Sequence, residues 1–168
     1  MIRATLPDDH DAVIDIAIAA GLVPAEYSAG LSDVFHQSLS GTSDSEQLWL
    51  TFVAESHPVG VAYVAPERWA DGVWNMLMIA VRPHTQRHGI GQQLVAAIEA
   101  RLQDRGARIL IADTSGLPEF VGARSFYHRC GFHEEARIRD YWKVGDDKIT
   151  FRKVLLAPTA APESRGSE

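Results

Sequence analysis

Cysteine is nearly absent from this chain of 168 residues, in which Cys130 is the only one. A single cysteine excludes an internal disulfide and a zinc site built on several cysteines, and it is typical of a reducing compartment. The amino-terminal residues lack the basic stretch and apolar run of a signal peptide, and the longest apolar run, 12–23, is too short to span a bilayer. We therefore expect a cytoplasmic protein with no membrane segment.

Positive charge is also scarce. Sixteen Lys and Arg residues stand against 22 Asp and Glu residues, giving a formal net charge of −6, which argues against a broad nucleic-acid-binding surface. The length fits one domain on a prior of about 150 residues per domain, and 46% hydrophobic residues are typical of a folded protein. We expect one domain over residues 1–156 and a disordered tail at 157–168, where Pro, Ala, Ser and Glu dominate.

The apolar pattern predicts alternating strands and helices. The predicted elements are strand 2–6, helices to about 20 and at 27–39, a polar loop at 40–44, strands 48–54, 59–65 and 73–81, a helix from 90 to Gly106, strand 108–113, helix 119–129, and strands 132–144 and 148–156. Strand 73–81 is apolar on both faces, with its odd-numbered and even-numbered residues predicted to face opposite sides, so it should be central. Strand 108–113 should run parallel to it, because a crossover helix lies between them.

A glycine-bearing loop joins strand 73–81 to the next helix, in the run Gln86-Arg87-His88-Gly89-Ile90-Gly91. Backbone N–H groups at the positive end of a helix make a natural phosphate site, and glycines let a phosphate approach closely. A dinucleotide-binding fingerprint would need glycine where Leu94 stands, and a P-loop would need Gly-Lys-Ser/Thr. The sequence therefore predicts a phosphate site of another kind.

The pattern Gln-x-x-Gly-x-Gly at 86–91 resembles the pyrophosphate loop of the Gcn5-related N-acetyltransferases, the GNAT superfamily, which bind acetyl-coenzyme A. Downstream, Phe126-Tyr127-x-x-x-Gly131-Phe132 is similar to that family's Phe-Tyr-x-x-x-Gly-Phe signature. The order of predicted elements agrees with the family over about 2–156. The resemblance implies an α/β (α+β) fold, with a mixed central sheet of about six to seven strands flanked by about four helices.

The resemblance also implies how acetyl-CoA would bind. The loop N–H groups would hold its pyrophosphate, and its pantetheine would pair with one strand as a missing neighbour would. The implied cofactor-binding residues are Ile79, Ala80, Val81, Gln86, Arg87, His88, Gly89, Ile90 and Gly91. Arg82, His84, Arg87 and His88 form a local basic cluster suited to a polyanion. The family's pantetheine-contacting Asn corresponds to Phe120, so that contact is not carried over. No metal is expected, since His84 and His88 lack nearby carboxylate partners.

Amide formation needs a neutral amine, a donor for the oxyanion and an acid for the departing thiolate. By resemblance, Tyr127 is the general acid, and backbone N–H groups near Met78 or Ile79 stabilise the oxyanion. Asp113 is the first choice for the base, with Glu67 and Asp71 as alternatives that could instead bind a cationic acceptor. The residues predicted to bind the acceptor are Glu67, Asp71, Trp74, Asn75, Asp140 and Tyr141.

The predicted function is transfer of the acetyl group of acetyl-CoA to a primary amine of a small molecule or peptide, by direct attack in a ternary complex. A non-catalytic acyl-CoA-binding or sensing module, and a transferase for another acyl group, stay open as alternatives. Tyr127 could instead be a core aromatic, and Asp113 a structural turn carboxylate. No nucleic-acid or membrane partner is expected, and a homodimer is left open.

Overall fold

The computed structural model describes residues 1–40 and 47–155. Its helices are α1 (His10–Ala19), α2 (Ser28–Leu39), α3 (Ile90–Asp104) and α4 (Val121–Arg129). Its strands are β1 (Ile2–Ala4), β2 (Leu48–Ala54), β3 (His57–Pro66), β4 (Val73–Val81), β5 (Ile109–Ser115), β6 (His133–Lys143) and β7 (Asp146–Val154). Single 3₁₀ turns at Pro83–Thr85 and Pro118–Phe120 precede α3 and α4. The predicted tail at 157–168, and the predicted polar loop beyond residue 40, lie outside the described residues.

The seven strands form one sheet in the order β1-β2-β3-β4-β5-β7-β6. Every neighbouring pair is antiparallel except β4 and β5, which are parallel and joined through α3. The predicted mixed sheet with four helices is therefore confirmed, as is the parallel pair. No helix in the described ranges is long and apolar enough to cross a membrane.

Helices cover both faces of the sheet. On one face, α3 buries one stripe, which consists of Ile90, Leu94, Val95, Ile98 and Leu102, as the helical periodicity predicts. This stripe and Tyr127 of α4 share a core cluster with residues of the central strands. On the other face, Val13 and Ile16 of α1 pack with Phe35 of α2. Each fully buried Leu or Ile contributes about 1.5–3 kcal/mol, so both helix layers stabilise the central strands.

A bulge in β4 changes which side chains face each layer. Tyr63 of β3 is paired with Met78 and Val64 with Met76, so Leu77 is an extra residue on β4. Met76 packs in the cluster under α3, whereas Met78 packs in the cluster under α1 and α2. The predicted strict alternation along β4 is therefore wrong beyond Leu77, because one inserted residue exchanges the two faces.

The parallel strands β4 and β5 separate after a short paired segment. They pair only at Val73 with Ile109, Trp74 with Leu110, and Asn75 with Ile111. Beyond these positions β4 stays paired with β3, and β5 stays paired with β7 as far as Ser115. Within the described chain, this divergence leaves a crevice between β4 and β5 that opens toward the glycine loop.

Candidate active site

The β4 wall of the crevice is made of backbone. The N–H of Arg82 donates to the Val59 carbonyl at 2.8 Å, which makes these two residues a hydrogen-bonded antiparallel pair. Backbone N–H and C=O groups alternate in direction along a strand. Those of Ala80 and Met78 therefore also point toward β3, whereas those of Ile79 and Val81 point into the crevice. Of the three strand residues predicted to pair with pantetheine, Ile79 therefore presents a free N–H and carbonyl, and Val81 presents a free N–H while its carbonyl accepts from Gln86. Ala80 is paired with Val61 of β3 and presents neither.

The glycine loop continues this wall at the amino terminus of α3. Arg87 has φ +65° and Gly89 has φ +77°, so the chain twice enters the left-handed region before the helix begins. The N–H groups of residues 87–92 have no acceptor among the described residues. Free N–H groups at a positive helix end form the kind of site that binds phosphate, so this segment fits the predicted pyrophosphate loop.

Two polar side chains of this loop bind its own backbone, whereas its two arginines are available to a ligand. Gln86 donates from Nε2 to the Val81 carbonyl at 2.9 Å, and His88 contacts the Thr85 carbonyl at 3.2 Å, so both hold the loop itself. Arg82 donates from Nε to the Pro58 carbonyl. Neither Arg82 nor Arg87 forms an ion pair with a described carboxylate, so both guanidinium groups are available to a polyanion.

Gly91 has a packing role. A Cβ at this position would lie 2.9 Å from Cε2 of Phe126, closer than real Cβ contacts occur. The first turn of α3 therefore rests directly on α4 at the residue before Tyr127. Gly89 differs, because its added Cβ would meet only the Gln93 side chain at 3.8 Å and its requirement is the positive φ.

Tyr127 has a buried ring packed among Phe126, Phe132 and Phe151. Among the described residues, the Tyr127 hydroxyl has no hydrogen-bond partner, and every fully buried polar side-chain atom has one. The Tyr127 hydroxyl oxygen therefore reaches the protein surface. Burial raises the pKa of Tyr127 to about 12, with smaller contributions from the charges of Cys130 and Asp113. The phenol is therefore protonated at neutral pH and able to donate.

Asp113 lies on the β5 wall and binds two side chains of β7. Its Oδ2 is 3.1 Å from Nζ of Lys148, and its Oδ1 accepts from Oγ1 of Thr150 at 2.6 Å. The Lys148 ammonium also lies 4.5 Å from the centre of the Tyr141 ring. Tyr141, predicted to bind the acceptor, is thereby brought next to the predicted base, and its ring is half exposed.

A second carboxylate stands at the end of the same wall. Ser115 donates from Oγ to Oδ1 of the buried Asp146 at 2.5 Å and accepts the N–H of Leu117 at 3.0 Å. Arg124 of α4 donates to the carbonyls of Ser115 and Leu117. These bonds fix the end of β5 against the helix that carries Tyr127.

The five other predicted acceptor residues have different surroundings. Trp74 is largely buried beneath α3, with Arg105 5.5 Å from its ring centre, and with Asp71 it lines a depression at the closed end of the crevice. Asp71 is fully exposed beyond the closed end of the crevice, where Arg108 binds its carbonyl. Glu67 accepts from Asn75 at 3.0 Å near that end. Asp140 caps the β6–β7 turn by accepting from the Gly145 N–H at 2.6 Å.

Sequence reasoning missed Lys148, Thr150, Ser115 and Asp146. One signal was present, because Lys148 and Thr150 alternate with apolar Ile149 and Phe151 and must therefore share a strand face. Their pairing with Asp113 depends on the β5–β7 register, which no local pattern specifies. Among the described residues, no group of three or more His, Cys, Asp or Glu is arranged to hold a metal ion.

The sequence profile of one family, described as the acetyltransferase (GNAT) domain, matches residues 47–134, more than half of the chain. This stretch contains the glycine loop, both walls of the crevice as far as Ser115, and Tyr127. The chain belongs to the GNAT acetyltransferase family. An aminoglycoside N(6')-acetyltransferase type 1 of Stenotrophomonas maltophilia is 38% identical over 58 residues, which are 34% of this GNAT chain and 37% of that relative.

Solved structures agree with the GNAT assignment. A Desulfovibrio desulfuricans protein assigned to the GNAT family superposes with a TM-score of 0.87 at 27% identity, covering 93% of this chain and 99% of that one. An aminoglycoside 6'-N-acetyltransferase complexed with coenzyme A reaches 0.79 at 16% identity, covering 95% and 99%. The ribosomal-protein-S18-alanine N-acetyltransferase of Escherichia coli reaches 0.76 at 19% identity, covering 95% and 96%. The last two likenesses show the fold alone.

Proposed function

We propose that this chain transfers the acetyl group of acetyl-CoA to a primary amine by direct attack in a ternary complex. The observation that carries the proposal is the continuous backbone surface formed by the unpaired edge of β4 and the free N–H groups of residues 87–92. An extended pantetheine arm suits the first, and a pyrophosphate suits the second. The solved relative complexed with coenzyme A has the same fold and supports this donor.

The chemistry needs a proton donor for the thiolate and a donor for the oxyanion. We assign the first role to Tyr127, whose protonated hydroxyl reaches the surface from an otherwise buried ring. We assign the second to the N–H of Ile79, which points into the crevice, rather than to Met78, which is paired with Tyr63. Acetyl-CoA, when bound, supplies the activated acetyl group.

The base is the least determined role. Asp113 stays our candidate because it lies on β5 where the crevice is open, and Glu67 and Asp71 lie toward its closed end. Lys148 and Thr150 already occupy one position on each Asp113 oxygen. Each carboxylate oxygen keeps a further lone pair, so Asp113 is able to accept from an amine with Lys148 beside it, and we place Lys148 on the acceptor side of the site.

The acceptor is proposed to be a small-molecule or peptide amine. The named relatives include aminoglycoside and ribosomal-protein N-acetyltransferases, so both classes belong in a test. The acidic loop residues predicted to attract a basic acceptor do not surround the open part of the crevice. We therefore give the wall formed by Asp113, Lys148 and Tyr141 the larger role in choosing the acceptor. One domain over residues 1–156, a cytoplasmic location and a homodimer remain predictions.

A thiol-release assay with acetyl-CoA tests the proposal directly. The acceptor panel should contain amino acids, polyamines, aminoglycosides, and peptides with free amino termini or lysines. Amine-dependent thiol release is expected for at least one class. Tight acetyl-CoA binding by calorimetry without thiol release on any acceptor would favour a non-catalytic acyl-CoA sensor. Faster release from propionyl-CoA or succinyl-CoA would favour a different acyl group.

A further inference from the structure

Arg124 of α4 places a guanidinium group against the end of β5. It stands three residues before Tyr127, so the two side chains are neighbours on the face of α4 that packs on the sheet. Its Nη1 donates to the Ser115 carbonyl at 2.7 Å and to the Leu117 carbonyl at 2.9 Å. The guanidinium is therefore held where β5 ends, and its side of the strand can be determined from the backbone.

The direction of the Ser115 carbonyl shows on which side of β5 the guanidinium lies. The N–H of Gly116 donates to the Asp147 carbonyl at 2.8 Å, so it points toward β7. The peptide bond between Ser115 and Gly116 is trans, and in a trans peptide the N–H and the C=O point in opposite directions. The Ser115 carbonyl therefore points away from β7 and toward the crevice, which places the Nη1 of Arg124 on the crevice side of β5.

Ser115 lies at nearly the same level of the crevice as the free backbone of Ile79. The strands β4 and β5 run parallel, and Asn75 is paired with Ile111. Counting along both strands from this pair reaches Ile79 and Ser115 together, and the extra residue at Leu77 shifts β4 by one position. The guanidinium therefore lies across the crevice from the segment of β4 that we propose to pair with pantetheine, rather than at the glycine loop further along the chain.

Most of the donors of this guanidinium are free. Among the described residues, Arg124 forms hydrogen bonds only through Nη1 and has no carboxylate partner. Its Nε and Nη2 therefore keep their N–H groups without an acceptor in the described chain, on a side chain that is partly buried. Hydrogen bonds from a guanidinium are stronger than those between neutral groups, and its planar fork gives them fixed directions. The arrangement is suited to an oxygen acceptor inside the crevice.

We propose that Arg124 binds an amide carbonyl of the pantetheine arm of acetyl-CoA from the β5 side of the crevice; this inference rests on the proposed function. Pantetheine is an extended arm that contains two amide groups. An arm that pairs with Ile79 on one edge has an amide carbonyl left for a donor on its other edge. The pyrophosphate binds at the glycine loop, away from the level of the guanidinium, so the amide carbonyl is the oxygen that Arg124 reaches.

Isothermal titration calorimetry of the purified full chain with two ligands tests this inference. One ligand is acetyl-CoA, and the other is the nucleotide half of coenzyme A, a phosphoadenosine diphosphate that has the pyrophosphate and lacks pantetheine. Arg124→Met removes a charge-assisted hydrogen bond, so it should weaken acetyl-CoA binding at least about tenfold and change binding of the nucleotide half less than about twofold. The control Arg129→Met removes the same charge from an exposed position of α4 and should change neither affinity.

Ser115→Ala separates a direct contact from an effect on the loop between β5 and α4. The Ser115 Oγ bonds to Asp146 and to the Leu117 N–H hold this loop, and the substitution removes both but keeps the carbonyl that binds Arg124. We expect a lower free energy of unfolding in Ser115→Ala, with acetyl-CoA affinity changed less than about threefold.

Three outcomes would overturn this inference while the proposed function stands. The first is unchanged acetyl-CoA affinity in Arg124→Met. The second is an equal loss for both ligands, which would place the guanidinium at the phosphates. The third is an equal loss of acetyl-CoA affinity in Arg124→Met and Ser115→Ala, which would mean that loop order is the cause. Failure of the wild-type chain to bind acetyl-CoA would instead remove the proposed function, and this inference with it.

Discussion

The two walls of the crevice are built from different parts of the polypeptide. The β4 wall and the glycine loop present backbone groups, from Ile79 to the first turn of α3. The β5–β7 wall presents side chains, with Lys148 and Thr150 both donating to Asp113. A wall of backbone groups recognises any ligand that has a matching extended arm and a phosphate. The specificity of a wall of side chains can change through single substitutions. The difference suits a shared acyl donor on one side and a particular acceptor on the other.

The largest effect is expected from breaking the backbone wall with Gly89→Val. Gly89 has φ +77°, a conformation that a β-branched residue tolerates poorly, so the loop and its N–H groups must shift. Losing two charge-assisted hydrogen bonds of about 1.5–3 kcal/mol each should weaken acetyl-CoA binding at least about 100-fold. Isothermal titration calorimetry measures this directly.

The control for Gly89→Val lies at the other end of the same helix. Gly106 has φ +73°, and a Cβ added there meets nothing within 4 Å. Gly106→Val should therefore destabilise the fold to a similar degree and leave acetyl-CoA affinity unchanged. Equal losses of affinity in the two variants would mean that general destabilisation, and not the loop, explains the first result.

Tyr127→Phe tests the proposed acid with the next largest effect. General acid catalysis contributes about 10²- to 10⁴-fold, so kcat should fall at least about tenfold, with little change in acetyl-CoA affinity. Because the pKa of Tyr127 is raised to about 12, its hydroxyl stays protonated through pH 6–10. The ratio of wild-type to variant kcat should therefore be constant over that range. A ratio near one at every pH would show that another group is the acid.

Gly91→Ala should lower the stability of the fold, with an effect smaller than those of the two preceding variants on binding and catalysis. The new Cβ meets the Phe126 ring at 2.9 Å, and overpacking of this kind costs about 1–3 kcal/mol in the free energy of unfolding. Acetyl-CoA affinity should change only a few-fold, because the role of Gly91 is packing of α3 on α4. Denaturant unfolding measures the cost, and in a Phe126→Leu background that cost should shrink. An equal cost in both backgrounds would remove Phe126 from the explanation.

The backbone wall is also the part of the site that sequence predicts well. Gly89 and the stripe from Ile90 to Leu102 follow from local rules for helix starts and periodicity, and the structure has both. The extra residue at Leu77 could not be predicted, since a bulge leaves no local mark in a strand that is apolar on both faces. The contact between Lys148 and Asp113 joins residues 35 positions apart in the sequence and depends on the register of two strands, which local patterns do not specify.

The smallest effect is expected from Asp71→Asn, beyond the closed end of the crevice. The Asp71 carboxylate is fully exposed, and β4 and β5 are still paired between it and the open segment. Substitutions at such surface positions usually change free energies by less than about 0.5 kcal/mol, so kcat and KM should stay within about twofold. The same change at the side-chain wall, Asp113→Asn, should lower kcat at least about tenfold if Asp113 is the base. An acceptor KM that rises sharply in Asp71→Asn, with kcat preserved in Asp113→Asn, would move acceptor binding to the closed end and leave the side-chain wall without a role in catalysis.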